Sequence, residues 1–257
     1  MQSWETIWLG LLAFVAGFVD AVVGGGGLIQ MPALFVLLPP PLSSTVALVL
    51  GTNKLSSFCG TSMALAQYAR RVRLNWRSIL PAGIMALVFS GVGAACVTLL
   101  SSRFLKPLIF LLLVGVAVFT YARKDLGRHH TPRFAPGREQ YWAMVVGAGI
   151  GFYDGFFGPG TGSFLLFIFI GVFGFDFLAA TASAKVINFA TNLSAVAYFA
   201  ATGHILYQYA VPMAACNILG AILGSRLAML KGNTFVRGFF LAVVSLMILR
   251  FGYDLAR

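Results

Sequence analysis

Two lysines and two aspartates stand inside stretches of this chain that are otherwise hydrocarbon, and they occupy matching places in its two halves. Gly17-Phe18-Val19-Asp20, followed by Gly24-Gly25-Gly26-Gly27, returns 134 residues later as Gly151-Phe152-Tyr153-Asp154, followed by Gly158-Pro159-Gly160-Thr161. At a separation of 131 residues, Lys54 meets Lys185, Phe58 meets Phe189, Pro81 meets Pro212 and Gly93 meets Gly224. The chain is an internal duplication. A buried ammonium can bind an oxyanion through charge-assisted hydrogen bonds, and a buried carboxylate can neutralise that ammonium or exchange a proton. Ionisable groups at membrane depth are costly and mark functional sites.

Lys54 belongs to Gly51-Thr52-Asn53-Lys54, and Lys185 to Ser183-Ala184-Lys185-Val186-Ile187-Asn188 with Asn192 beyond. Each lies about ten residues into a long apolar segment, too deep to snorkel to the interface. Two readings follow. The lysines are charge partners of Asp20 and Asp154, neutralising the site without any substrate; or lysines and helix ends together bind an oxyanion while one or both aspartates exchange protons or hold the lysines in place. Two lysines and two ionised aspartates sum to zero, so charge counting does not separate these readings. Lys→Met does: a substrate role predicts lost transport with little lost fold, and a structural role predicts lost fold that a second Asp→Asn change rescues.

The glycine clusters supply the helix ends. Four consecutive glycines weaken a continuous helix, and a break at membrane depth is tolerated only where its backbone is buried in protein or lines a cavity. The N–H groups of the next half-helix then face that cavity with the positive end of the helix dipole, a setting for an anion. Gly25, Gly26 and Gly27 in one half, and Gly160, Thr161 and Gly162 in the other, therefore join Thr52, Asn53, Lys54, Lys185, Asn188 and Asn192 as candidate substrate contacts. Asp20 and Asp154 are the candidate coupling groups or charge partners. By contrast, Gly220-Ala221-Ile222-Leu223-Gly224 and the trio Gly147, Gly149 and Gly151 read as small-residue surfaces for close helix packing.

The elements that must hold these groups are membrane helices. With 59% hydrophobic and only 10% charged residues and a mean hydropathy of +0.89, the chain cannot present a polar surface to water. It reads as an all-α integral membrane protein. Apolar runs fall at 5–23, 27–38, 44–69, 76–99 and 104–122 in the first half, and at 140–157, 161–175, 178–201, 206–229 and 234–254 in the second. The second run of each half is short for a full span and starts at a glycine break, so it can instead form a re-entrant hairpin with its predecessor. Either way each half crosses an odd number of times. The expected fold is two inverted-topology repeats, 1–122 and 140–257, each of three to five transmembrane helices with a Gly-rich broken segment, joined by a basic loop at 123–139. Twelve basic residues, among them Arg70, Arg71, Arg73, Arg77, Arg123, Lys124 and Arg128, fall on the side of that loop against four opposite. That side is read as cytoplasmic, with both termini outside.

Several functions lose ground here. The formal charge of +11 does not indicate nucleic acid, because the basic residues sit between apolar spans rather than along one face. Cys59, Cys96 and Cys216 have no CxxC or Cys/His spacing, and His129, His130 and His204 read as surface groups, so no metal or other cofactor is expected. The N-terminus, with Glu5 and no basic stretch, does not read as a cleavable signal peptide. No phosphate-binding GxxxxGK[ST] and no HExxH or GxSxG pattern supports ATP drive or catalysis.

GFVDAVVGGGGLIQMPAL with GTNKLSS in one half, and GFYDGFFGPGTGSF with TASAKVINFATNLSA in the other, resemble the TauE/SafE family of sulfite and organosulfonate exporters, over a stretch from about Gly17 to Phe251. What the resemblance implies is an inverted-repeat secondary transporter in a prokaryotic-type inner membrane that moves small sulfur-containing anions such as sulfite or sulfonates. Its motif positions carry onto Asp20, Gly24 to Gly27, Asn53, Lys54, Asp154, Gly158, Gly160, Lys185, Asn188 and Asn192. The expected partners are a small anion and the lipid bilayer, with small-residue faces that permit a homodimer. Two other classes stay open at this point: a passive anion channel or facilitator using the same cationic site, and a membrane assembly factor.

Overall fold

In a computed structural model that describes residues 3–99 and 134–255, all regular secondary structure is helical. The first half supplies α1 (Ser3–Val23), α2 (Gly27–Leu37), α3 (Val46–Ala69) and α4 (Trp76–Leu99). The second supplies α5 (Pro136–Phe156), α6 (Thr161–Gly171), α7 (Phe177–Ala201) and α8 (Tyr207–Leu255). The expected segment at 104–122 and positions 123–133 of the basic loop lie outside the described residues. α5 starts inside the stretch read as loop, because Pro136 is pre-organised for the first helical turn and Glu139 complements its dipole. α8 joins the last two expected segments and departs from helical geometry at Gly232 (φ 68°), between them.

Among the described residues, three helices are long and apolar enough to cross a bilayer: Trp4–Val23, Trp76–Leu99 and Tyr207–Gly232. Their lipid-compatible faces carry exposed Ile7, Leu11, Ile84, Val88, Leu219 and Leu223, while Trp4, Trp76, Trp142 and Tyr207 stand near helix starts, as interfacial aromatics do. α2 and α6 have 11 residues each, a rise of about 16 Å, roughly half the hydrocarbon thickness. Neither can span the membrane alone.

The main contacts between the halves come in pairs with the halves exchanged. α1 packs on α8 and α4 on α5; α3 packs on α8 and α7 on α4; α3 and α7 meet at the centre. Gly224 lies against the carbonyl of Phe18, and Gly93 against the carbonyl of Phe152, equivalent contacts by the repeat alignment. Gly220 likewise presses on the Phe14 carbonyl, Gly147 on Ala82 and Gly151 on Ala86. These glycines let helix backbones touch, as the sequence indicates. Gly149 differs: among the described residues, a Cβ there would meet nothing within 4 Å.

Candidate functional site

Asp20 sits in the last turn of α1 and Asp154 in the last turn of α5, each just ahead of a break. The first break turns through Gly24 (φ 75°) and Gly25 (φ 90°), the second through Gly158 (φ 94°) and Gly160 (φ 83°), a left-handed region closed to most side chains. The two breaks touch. A Cβ on Gly24 would stand 2.3 Å from the Gly162 carbonyl carbon, one on Gly162 would stand 2.7 Å from Gly24 Cα, and one on Gly27 would stand 3.2 Å from Pro159 Cα. Backbone groups released by the breaks are recovered by phenols. Tyr68 Oη donates to the Ala21 carbonyl at 2.8 Å and Tyr153 Oη to the Pro159 carbonyl at 2.7 Å.

This close approach gives a measurable expectation. Gly24→Ala combines a positive φ with a backbone clash and should cost about 3–5 kcal/mol from strain plus overpacking, enough to remove most monodisperse protein from detergent extracts. Gly149→Ala, which meets no described residue within 4 Å, should leave that yield unchanged or raise it.

The ionisable groups pair across the halves. Lys54 Nζ lies 2.7 Å from Asp154 Oδ2, and Lys185 Nζ lies 2.7 Å from Asp20 Oδ2. Lys54 also donates to Asn192 Oδ1 at 3.2 Å, and Lys185 also donates to the Asp20 backbone carbonyl. The contact from Lys54 to Asp154 Oδ2 is a charge contact without the angular geometry of a hydrogen bond. Asp154 Oδ1 lies 2.7 Å from Thr161 Oγ1, whose hydroxyl also reaches the Gly158 carbonyl at 2.6 Å. Its single proton serves one of the two at a time. The two pairs differ in exposure: the side chains of Lys54, Asp154 and Lys185 are 3%, 5% and 1% exposed, whereas that of Asp20 is 23% exposed.

Between these groups lies a cavity of about 30 Å³, room for about two waters. Of the candidates, Asp20, Asn53, Lys54, Asp154, Asn188 and Asn192 line it with side chains, and Gly25, Gly27, Gly160, Thr161 and Gly162 line it from the breaks, together with Gly158. Three candidates are placed elsewhere. Thr52 is fully buried, donating to the Leu48 carbonyl at 2.6 Å and accepting from Leu206 N–H at 3.1 Å, so it ties α3 to the approach of α8. Gly26 packs against the Ala16 carbonyl and the Asp20 side chain. Lys185 stands behind Asp20 rather than on the cavity wall.

Two further wall residues, Ser57 and Thr61, escaped the sequence reading. Their signal was present: Lys54, Ser57 and Thr61 are spaced to share one face of a helix, and they align with Lys185, Asn188 and Asn192 of the second half. Thr61 Oγ1 lies 3.5 Å from Asp20 Oδ2. Beside the cavity, Gln30 donates to Ser56 Oγ at 2.6 Å and accepts from Asn217 Nδ2 at 3.2 Å, a buried bridge among α2, α3 and α8. The residues aligned with them in the opposite halves, Phe164, Ile187 and Ala86, are apolar, so this bridge has no counterpart in the repeat.

The family described as "Sulfite exporter TauE/SafE" matches residues 9–251. A Sinorhizobium sp. protein named "Probable membrane transporter protein ORF9" is 37% identical over 227 residues, 88% of this chain and 84% of that protein. A Haemophilus influenzae protein named "Probable membrane transporter protein" is 35% identical over 245 residues, covering 95% and 92% of the two chains. The Escherichia coli K12 "Probable membrane transporter protein YfcA" is 33% identical over 251 residues, covering 96% and 90%. No solved structure matches the chain.

Proposed function

The chain belongs to the sulfite exporter TauE/SafE family and is a membrane transporter of that type, and we propose that it is a secondary exporter of small sulfur-containing anions such as sulfite or organosulfonates, built from inverted repeats in a prokaryotic inner membrane. The observation that carries the proposal is the cavity where both helix breaks, Lys54 and both aspartates converge. Its donors are of the right kind for an oxyanion: an ammonium and the opening turns of two half-helices.

Charge balance supplies the coupling. The resting site holds two ammonium and two carboxylate groups in mutual contact, and adding an anion to it leaves uncompensated negative charge in a low-dielectric setting. A proton taken up by one aspartate as the anion arrives restores neutrality and frees a lysine to hold the anion. In this mechanism anion and proton move together, and exchange of the pairing partners between the halves turns the site from one membrane face to the other.

The test is purified protein in liposomes, assayed for uptake of sulfite, sulfate, thiosulfate, sulfoacetate and taurine with and without an imposed pH gradient. At least one anion should enter, and an imposed gradient should drive it above equilibrium. Entry that only ever runs to equilibrium would identify a passive facilitator instead. No entry of any anion would remove the transport assignment for these substrates.

A further inference from the structure

Resting on the reading that this cavity holds the transported anion, we infer that Ser57 is one of its contacts, a neutral hydroxyl that donates to an oxygen of the bound XO3 group beside Lys54. α3 carries five hydroxyl side chains of serine and threonine, and four of them are engaged. Thr52 and Ser62 donate to carbonyls of the preceding turn, Ser56 accepts from Gln30, and Thr61 reaches Asp20. Among the described residues Ser57 has no partner, although the Asn53 carbonyl one turn back is the ordinary acceptor for a hydroxyl at its position. A serine that forgoes this bond inside a membrane protein leaves a polar group unpaired, at a cost that water or a ligand recovers. Its surroundings supply the place for one. Ser57 lines the cavity, and its Oγ is reachable from there, unlike the carbonyl oxygens of Asn53 and Asn188, which are sealed in protein.

Charge balance gives such a donor its value. The groups facing the site are Asp20 from α1, Lys54 from α3, Asp154 from α5 and Lys185 from α7, and they cancel. Side-chain donors nearby are already committed: Lys54 serves Asp154 and Asn192, Lys185 serves Asp20, and Thr161 serves Asp154 or Gly158. Ser57 adds a free donor without adding a charge. Three residues beyond Lys54, it shares that lysine's face of the helix, so ammonium and hydroxyl can hold two oxygens of one anion. Hydrogen bonds to an ionised acceptor are roughly twice as strong as neutral ones. The repeat places a polar residue at the equivalent position too, since Asn188 aligns with Ser57 and lines the same cavity.

Sulfite and sulfoacetate both present an SO3 group, and their binding to the full-length protein in detergent would be measured by titration calorimetry alongside thermal unfolding. Ser57→Ala should weaken binding roughly tenfold or more and leave the unfolding midpoint in place, since it removes no hydrogen bond within the protein. Ser62→Ala is the control, because that hydroxyl turns back onto its own helix at the Phe58 carbonyl, and it should leave binding unchanged. Unaltered affinity in Ser57→Ala overturns the inference and leaves the transporter reading in place. Weaker binding that Ser62→Ala reproduces, or that comes with a lowered unfolding midpoint in Ser57→Ala, also overturns it, as a general loosening of α3. A loss of binding confined to Ser57→Ala, with no liposome uptake by the unmodified protein, overturns the transporter reading and keeps the inference. Binding of neither anion to the unmodified protein overturns both.

Discussion

Lys54→Met should abolish anion uptake and also lower the stability of the fold by about 3–5 kcal/mol, because it strands a carboxylate that is 5% exposed. With this pairing, fold loss follows under either role of the lysine, and transport by the rescued double variant separates them. That loss is a large part of an ordinary stability margin, so little folded protein should survive extraction. The same reasoning identifies the rescuing change. Lys54 pairs with Asp154 of the other half, not with Asp20 of its own. The double variant Lys54→Met, Asp154→Asn should therefore recover monodisperse protein, whereas Lys54→Met, Asp20→Asn should not. Neither should recover transport, since both lack the ammonium on the cavity wall. Thermal unfolding in detergent alongside liposome uptake reads both quantities. Recovery by the Asp20 change but not by the Asp154 change would show the crossed pairing to be wrong; uptake by the Lys54→Met, Asp154→Asn protein would show that the lysine is a charge partner and nothing more.

Asp20→Asn and Asp154→Asn should give opposite phenotypes despite their equivalence in the repeat. Asp20 is the more open carboxylate, on the cavity wall, and Lys185 keeps the Asp20 backbone carbonyl as a second acceptor when the side chain is neutralised. Asp20→Asn should fold, bind anions and exchange them across the membrane, yet lose accumulation driven by a pH gradient. Asp154 is enclosed and held by Lys54 and Thr161. Asp154→Asn should instead cost about 3 kcal/mol or more, through an unpaired buried ammonium, and reveal itself as lost folded protein. The measurements are counterflow and gradient-driven uptake on the same liposomes, with thermal unfolding as control. Accumulation at the unmodified rate in Asp20→Asn would reject a proton role for that carboxylate.

Much of this site was legible in the chain because its residues conflict with their solvent. A lysine ten residues into an apolar segment, or four glycines in a row within one, has no cheap explanation in a bilayer. The duplication then doubled the signal, so Asp20, Lys54, Asp154, Asn188 and both breaks emerged together. Ser57 and Thr61 were passed over because a lone hydroxyl in a membrane helix can hydrogen-bond to the preceding turn and be neutral; only their alignment with Asn188 and Asn192 distinguishes them. Thr52 misled for the opposite reason. It adjoins Asn53 and Lys54 in sequence, but successive residues on a helix point in different directions, and its hydroxyl meets α8 instead of the cavity.

The amino-acid sequence by itself determined that this is a helical membrane protein made of two related halves, each with a broken segment beside buried charge, since these properties follow from composition and spacing against the demands of hydrocarbon. It could not determine which aspartate neutralises which lysine. The repeat alignment makes the pairing within a half and the pairing between halves chemically identical, and only the distances between α1, α3, α5 and α7 separate them. Nor could it separate the two aspartates in environment, because exposure is a property of everything packed around a side chain. The tertiary structure decided both, by pressing the two glycine breaks together so that each half closes the other's charge.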